Sequence, residues 1–125
     1  MEKEFLPYEL ALELKELGFK EECLAVYCGE SEIRFRVLEK NTFINNKSSW
    51  VTAPTFSQAF RFFREKYGLH YIICKNIQMD GYGYREVILI PYMEENENTI
   101  FKTYEEAELA CLVKLIEIAK EQNVK

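Results

Sequence analysis

The sequence predicts an α+β two-layer sandwich, with a four-stranded, mainly antiparallel sheet and helices on one face. Three observations lead there. Thr55 with Gln58, and Thr103 with Glu106, have the Thr-x-x-Gln/Glu spacing that opens a helix. Leu6, Leu10, Leu14 and Leu17 repeat at helical spacing and predict a third helix. Between these helices lie paired runs of β-forming residues, which gives the order α-β-β-α-β-β-α. At 125 residues the chain reads as a single globular domain, 1–125, long enough to bury a core without staples.

The first helix is predicted from about Leu6 to Leu17. Pro7 suits its first position, where a missing N–H costs nothing, and Gly18 stands where a left-handed cap is expected. ECLAVYC (22–28) is apolar enough to be a central strand. Gly29-Glu30 offers a turn. EIRFRVL (32–38) alternates, with Ile33, Phe35 and Val37 on one face and Glu32, Arg34 and Arg36 on the other. Residues 39–54 are polar, rich in Asn and Ser, and carry the only tryptophan, Trp50; they read as a long loop.

APTFSQAFRFFREKYGL (53–69) holds four phenylalanines, a tyrosine, two arginines and a lysine. It is either a nucleic-acid grip or a core helix. Phe56, Ala59, Phe60, Phe63 and Tyr67 share one helical face, with Phe62 alone among the rings off it. Arg61, Arg64 and Glu65 fall on other faces. A base-stacking platform needs exposed rings beside the cations, so the core reading is preferred. Gly68 ends the helix. LHYIICKN (69–76) is a strand. MDGYG, within 77–83, is a turn with an Asp-Gly pair, and YREVILIPYM (84–93) is the next strand, with Pro91 marking its end. The last helix runs from Thr103 to about Gln122. Its apolar residues cover more than half its circumference, which calls for a second contact surface, either another helix opposite the sheet or the second subunit of a homodimer. The αββ unit thus occurs twice as a layout, without a residue-by-residue repeat.

Composition excludes several functions. A net charge of −5 argues against generic nucleic-acid binding, which depends on neutralising many phosphates. The longest apolar run, VILIPYM, is far short of the ~20 residues that span a bilayer. The start, MEKEFLPYEL, lacks the pattern of a signal peptide. A cytoplasmic protein without membrane contact is expected.

Catalytic and metal patterns are sparse. Cys23, Cys28, Cys74 and Cys111 lie in apolar runs and read as reduced, buried thiols. Cys23 and Cys28 differ by five, which puts them on opposite faces of a strand, and no metal or cofactor is expected. His70 is the only histidine, four residues before Cys74, roughly 13 Å away along a strand. Asp80 and Glu86 flank the second hairpin turn, and neither they nor Glu94, Glu95 and Glu97 match a calcium loop. An enzyme, such as a metal-independent hydrolase or nucleotide-modifying activity, would have to use Asp80, Glu86 or His70. The remaining feature is a wetter sheet face. Arg34, Arg36 and Arg85, with Trp50, Tyr82 and Tyr84 in nearby loops or turns, form a candidate site for a phosphate-bearing small molecule or a protein partner.

FLPYELALELKELGF, APTFSQAFRFFREKYGL and TYEEAELACLVKLIEI together resemble a family of short uncharacterised proteins from phages and prophages of Bacteroidales-type bacteria. The resemblance covers the three helices, about 45 residues. It departs in the second helix, where the family pattern has Trp and this chain has Phe62 or Phe63. It carries over no site residues. It implies a setting, inside a host bacterial cell. The sparse catalytic patterns and the over-apolar last helix point, in that setting, to a binding protein acting on a host protein or a phosphate-bearing small molecule. A virion accessory role is the other reading of that setting.

Overall fold

The computed structural model describes residues 4–29, 32–35, 43–45, 50–76, 78–86, 94–95 and 100–124. Among them it is an α+β protein: helices α1 (Tyr8–Glu16), α2 (Phe56–Tyr67) and α3 (Tyr104–Val124) alternate with short antiparallel strands. The single four-stranded sheet is not formed. Instead there are two separate sheets, ordered β2-β1-β3 and β4-β5-β6. The chain divides into two compact units, Met1–Phe62 and Phe63–Lys125.

In the first unit α1 begins at Tyr8, two positions after the Leu6 that opens its leucine stripe. Pro7 is the cap (ψ 156°), not the first helical residue. The end is as expected. Gly18 takes φ 95°. The Gly18 amide donates to Lys15 O (3.1 Å) and the Phe19 amide to Leu14 O (2.9 Å), which satisfies carbonyls the helix would otherwise orphan. Ala11 and Leu14 face the core. The segment before α1 is pinned down: the Leu6 amide donates to Pro54 O (2.9 Å), and the Tyr27 hydroxyl donates to Leu6 O (2.6 Å).

Strand β1 (Ala25–Gly29) is central, flanked by β2 (Glu32–Phe35) and β3 (Val51–Thr52). Its first three residues are buried regardless of which face they point to, as its apolar run predicts. Cys23 lies outside β1, in an isolated bridge to Phe43. The expected extension of β2 through Arg36, Val37 and Leu38 falls outside the described residues.

The long-loop expectation fails at its end. Val51 and Thr52 form β3, and Val51 through Pro54 are buried. The reason is Asn45. Its carboxamide accepts from the Thr52 amide (3.0 Å) and donates to Phe19 O (3.0 Å), so a polar stretch supplies the partners that allow backbone to be buried.

α2 opens on a complete capping box. The Gln58 amide donates to Thr55 Oγ1 (3.2 Å) and the Thr55 amide to Gln58 Oε1 (3.0 Å). Its buried arc is rotated from the predicted stripe. Ala59, Phe62 and Phe63 are buried, while Phe56, Phe60 and Tyr67 are half-buried. Phe62, expected off the stripe, packs edge-on against Phe19 with centroids 5.4 Å apart. Arg61 and Arg64 are exposed, and Arg61 pairs with Glu21. Rings inside and cations outside is the core arrangement. Gly68 (φ 68°) closes the helix.

In the second unit β4 (Tyr71–Asn76) and β5 (Gly81–Glu86) form a hairpin, and β6 (Glu94–Glu95) pairs with the far end of β5. Tyr82 and Gly83 were expected in the turn. They are paired strand residues, because the turn closes earlier, with Asp80 supplying the left-handed conformation (φ 48°). The Asn76 side chain accepts from the Met79 amide (2.9 Å) inside it. Most of the strand expected over 84–93 lies outside the described residues.

Phe101 bridges Tyr82 in both directions (2.8 Å each). Gly81 is obligatory there: a Cβ would meet Ile100 Cγ2 at 2.0 Å and Phe101 O at 2.8 Å. α3 starts where Thr103 Oγ1 accepts from the Glu106 amide (3.1 Å) and lies against β4 and β5. Ala107, Cys111, Leu112, Leu115, Ile116 and Ala119 form one buried stripe, and Val113 on the outer side is exposed. No described helix is long and apolar enough to cross a membrane.

Candidate functional site

The six residues singled out from the sequence divide between the units. Arg34 lies on β2 and Trp50 immediately precedes β3, both in the first unit; Tyr82, Tyr84 and Arg85 lie on β5 in the second. Arg36 lies outside the described residues. The shared sheet face that would gather them is therefore absent, since β2 and β5 belong to different sheets.

Within the second unit, side-chain alternation separates the candidates further. Tyr82 and Tyr84 point to one face and Arg85 to the other. Tyr84 is buried, opposite Ile73 in the ladder, with the Tyr71 ring 6.1 Å away. Tyr82 is half-buried and sits in a small cluster. Lys75, its cross-strand partner, holds its ammonium 4.7 Å from the ring centroid, and Tyr104 meets the ring edge-on at 6.1 Å. Burial, followed by the Glu108 and Glu105 carboxylates, holds the Tyr104 phenol above its ordinary value. Lys75 also pairs with Asp80 (3.2 Å) at the turn, so much of its charge is already answered locally.

The residues an enzyme would need do not converge. Asp80 and Glu86 sit at opposite ends of β5, roughly 20 Å apart at the strand rise. His70 is exposed, just before β4, at the Glu86 end. The thiols are poorly suited to nucleophilic work. Burial drives Cys23 up to about 11, with the Thr52 hydroxyl pulling the other way and the Glu21 charge adding to the rise. Burial and then Glu108 drive Cys111 to about 12. A thiol held protonated is inert. Cys28 and Cys74 are half-buried, and all four are free. No group of three or more metal-ligating side chains occurs among the described residues.

The first unit offers a different kind of feature. Trp50 is 50% exposed although the four residues after it are buried. Its carbonyl accepts from Lys15 Nζ (2.8 Å), and Val51 pairs with Tyr27 of β1. The indole is thus presented beside backbone that is fixed on its C-terminal side. Leu24 (53% exposed) and Ile44 (48%) lie beside the Cys23–Phe43 bridge of the same unit. Sequence reading named Trp50 and placed it outside the strands, where it stands, immediately before β3. It missed Asn45, which orders that segment, and Lys75, whose position over Tyr82 follows only once the hairpin register is known.

Compared with protein-family models, curated proteins and solved structures, the chain matches none. What the fold and these sites define is a class: an α+β protein of three helices and small antiparallel sheets.

Proposed function

We propose that this is a small phage- or prophage-type binding protein without catalytic activity, which acts in the host bacterial cytoplasm by engaging a host protein. Trp50 carries the reading. A large aromatic ring held on fixed backbone loses little conformational freedom on binding, and such residues supply most of the energy of protein interfaces. The phosphate-ligand reading has less support, since Arg34 lies 3.8 Å from Glu32 and Arg85 faces away from Tyr82 and Tyr84.

Trp50 is the sole tryptophan, so its emission reports on its own surroundings. Host extract fractionated over the immobilised protein should yield a partner that blue-shifts Trp50 emission on titration. Trp50→Ala should weaken that partner's binding by 2 kcal/mol or more, about 30-fold. Equal binding by Trp50→Ala would remove this reading. A mass of a few hundred daltons retained in native mass spectra, and lost with Arg34→Ala, would replace it with the small-ligand reading. Presence in purified particles would favour a virion accessory.

A further inference from the structure

We infer that the outer edge of β2 is a self-complementary surface on which a second copy of this chain pairs antiparallel, about a two-fold axis at Ile33. This does not rest on the Trp50 reading.

The backbone argument starts at β3. Amides along an antiparallel strand point alternately to one neighbour and to the other. The Thr52 amide is turned away from β1, to Asn45, while the Ala53 amide donates to Ala25 O (2.9 Å). With Val26 opposite Thr52, the amide groups of Ala25 therefore face β3 and those of Val26 face β2. Arg34 stands opposite Val26, and Ile33 opposite Tyr27. Arg34 thus spends its amide groups on β1, and the amide groups of Ile33 and Phe35 point to the outer edge. Among the described residues no strand pairs with that edge.

The side chains supply the reason to name a second copy. Glu32 and Arg34 flank Ile33 and are both exposed, their side chains 66% and 67% accessible. A two-fold axis at Ile33 sets Ile33 against its own copy and exchanges two N–H···O bonds, the donors and acceptors that point outward. The same operation places Glu32 opposite Arg34 of the second copy, twice. The intrastrand pair, 3.8 Å apart in the open, is worth little by itself. Across the axis it becomes two cross-strand pairs of opposite charge. Closed two-fold pairing also hides an edge that would otherwise invite open-ended association.

The test is oligomeric state by sedimentation equilibrium across a concentration series, with native mass spectrometry beside it. The wild-type chain should move from one to two copies as concentration rises. Glu32→Arg puts arginines opposite one another twice and should weaken the dimer roughly tenfold. Adding Arg34→Glu to it exchanges the two charges, restores opposite pairing and should restore the dimer. Ile33→Pro removes an outward amide and replaces a half-buried side chain, but it takes no ladder bond from β1, so the monomer should still fold, since edge strands accept proline, but not pair. A wild-type chain that stays monomeric throughout would overturn the inference and make Glu32 and Arg34 guards against pairing. So would a dimer indifferent to all three variants, which would move the contact elsewhere, for instance to the outer side of α3 at Val113.

Discussion

β1 and β4 make an instructive pair. Each belongs to a three-stranded antiparallel sheet and follows a helix closed by a glycine. β1 is buried at Ala25, Val26 and Tyr27, side chains that point to both faces. β4 has no fully buried residue and exposes Ile72 and Lys75. The strand orders differ as well. In the first unit the strand that follows the helix sits in the middle; in the second that strand is at the edge, and β5 takes the middle. A strand sealed on both faces needs an unbroken apolar run, whereas one with an open face tolerates polar residues, as the largely half-buried middle strand β5 also does. The two αββ stretches are therefore a similar layout with different topology, not one unit repeated.

Substitutions can sharpen this contrast. The largest effect is expected at the turn end of the middle strand of the second sheet. Gly81→Ala drives a methyl into Ile100 and the Phe101 carbonyl, and should cost about 3 kcal/mol, the upper end for overpacking, because a backbone atom has to move. The midpoint of urea unfolding would register it, together with faster amide exchange in β4 and β5. An unchanged midpoint would mean that the 100–101 segment does not press on β5.

Next comes Asn45→Ala in the first unit. It strips buried partners from the Thr52 amide and from Phe19 O, and a loss of about 2 kcal/mol is expected. If the loss were only a few tenths, water would be replacing the carboxamide, and the sealed character of this sheet would be in doubt.

The smallest effect compares the two deeply placed thiols, one in each unit. Cys23 and Cys111 are raised from an ordinary 9.0 to about 11 and about 12 in the folded chain. Burial disfavours the thiolate, so the unfolded chain loses these protons first. The associated stability is fully present below about 9 and is lost as pH rises through 11 and 12. Thiol-reagent kinetics at about pH 8 should show Cys28 and Cys74 reacting first, with Cys23 and Cys111 waiting for unfolding. Four equal rates would contradict the burial assigned to the two slow ones.

Much of the local structure was legible in the chain because its causes are local. Thr55–Gln58 and Thr103 cap helices through atoms a few residues apart. Gly18 and Gly68 end helices because they accept positive φ, and Asp80-Gly81 turns the hairpin for a related reason. The apolar run before Cys28 announced a central strand. Other features depend on distant atoms. Phe62 is buried because Phe19 stands opposite it, which no helical stripe can reveal. The short strand at Val51 and Thr52 can be buried because Asn45, in a stretch that reads as loop, satisfies the Thr52 amide. The candidate site divided for a similar reason. Parity along β5 opposes Arg85 to Tyr84, but nothing within a strand says which sheet it will join.

By itself, then, the sequence determined the α+β class, the starts of α2 and α3, the glycine-marked ends of α1 and α2, the turn at Asp80 and the protection of the phenylalanine-rich helix as core. Each follows from the conformational preference or spacing of neighbouring residues. Only the tertiary structure decided that the strands form two sheets, that β1 and β5 are the middle strands, that Gly81 must lack a side chain and that Trp50 stands out from fixed backbone. Those outcomes turn on which backbone edges find partners, and pairing energy is spread over contacts between residues far apart in the chain.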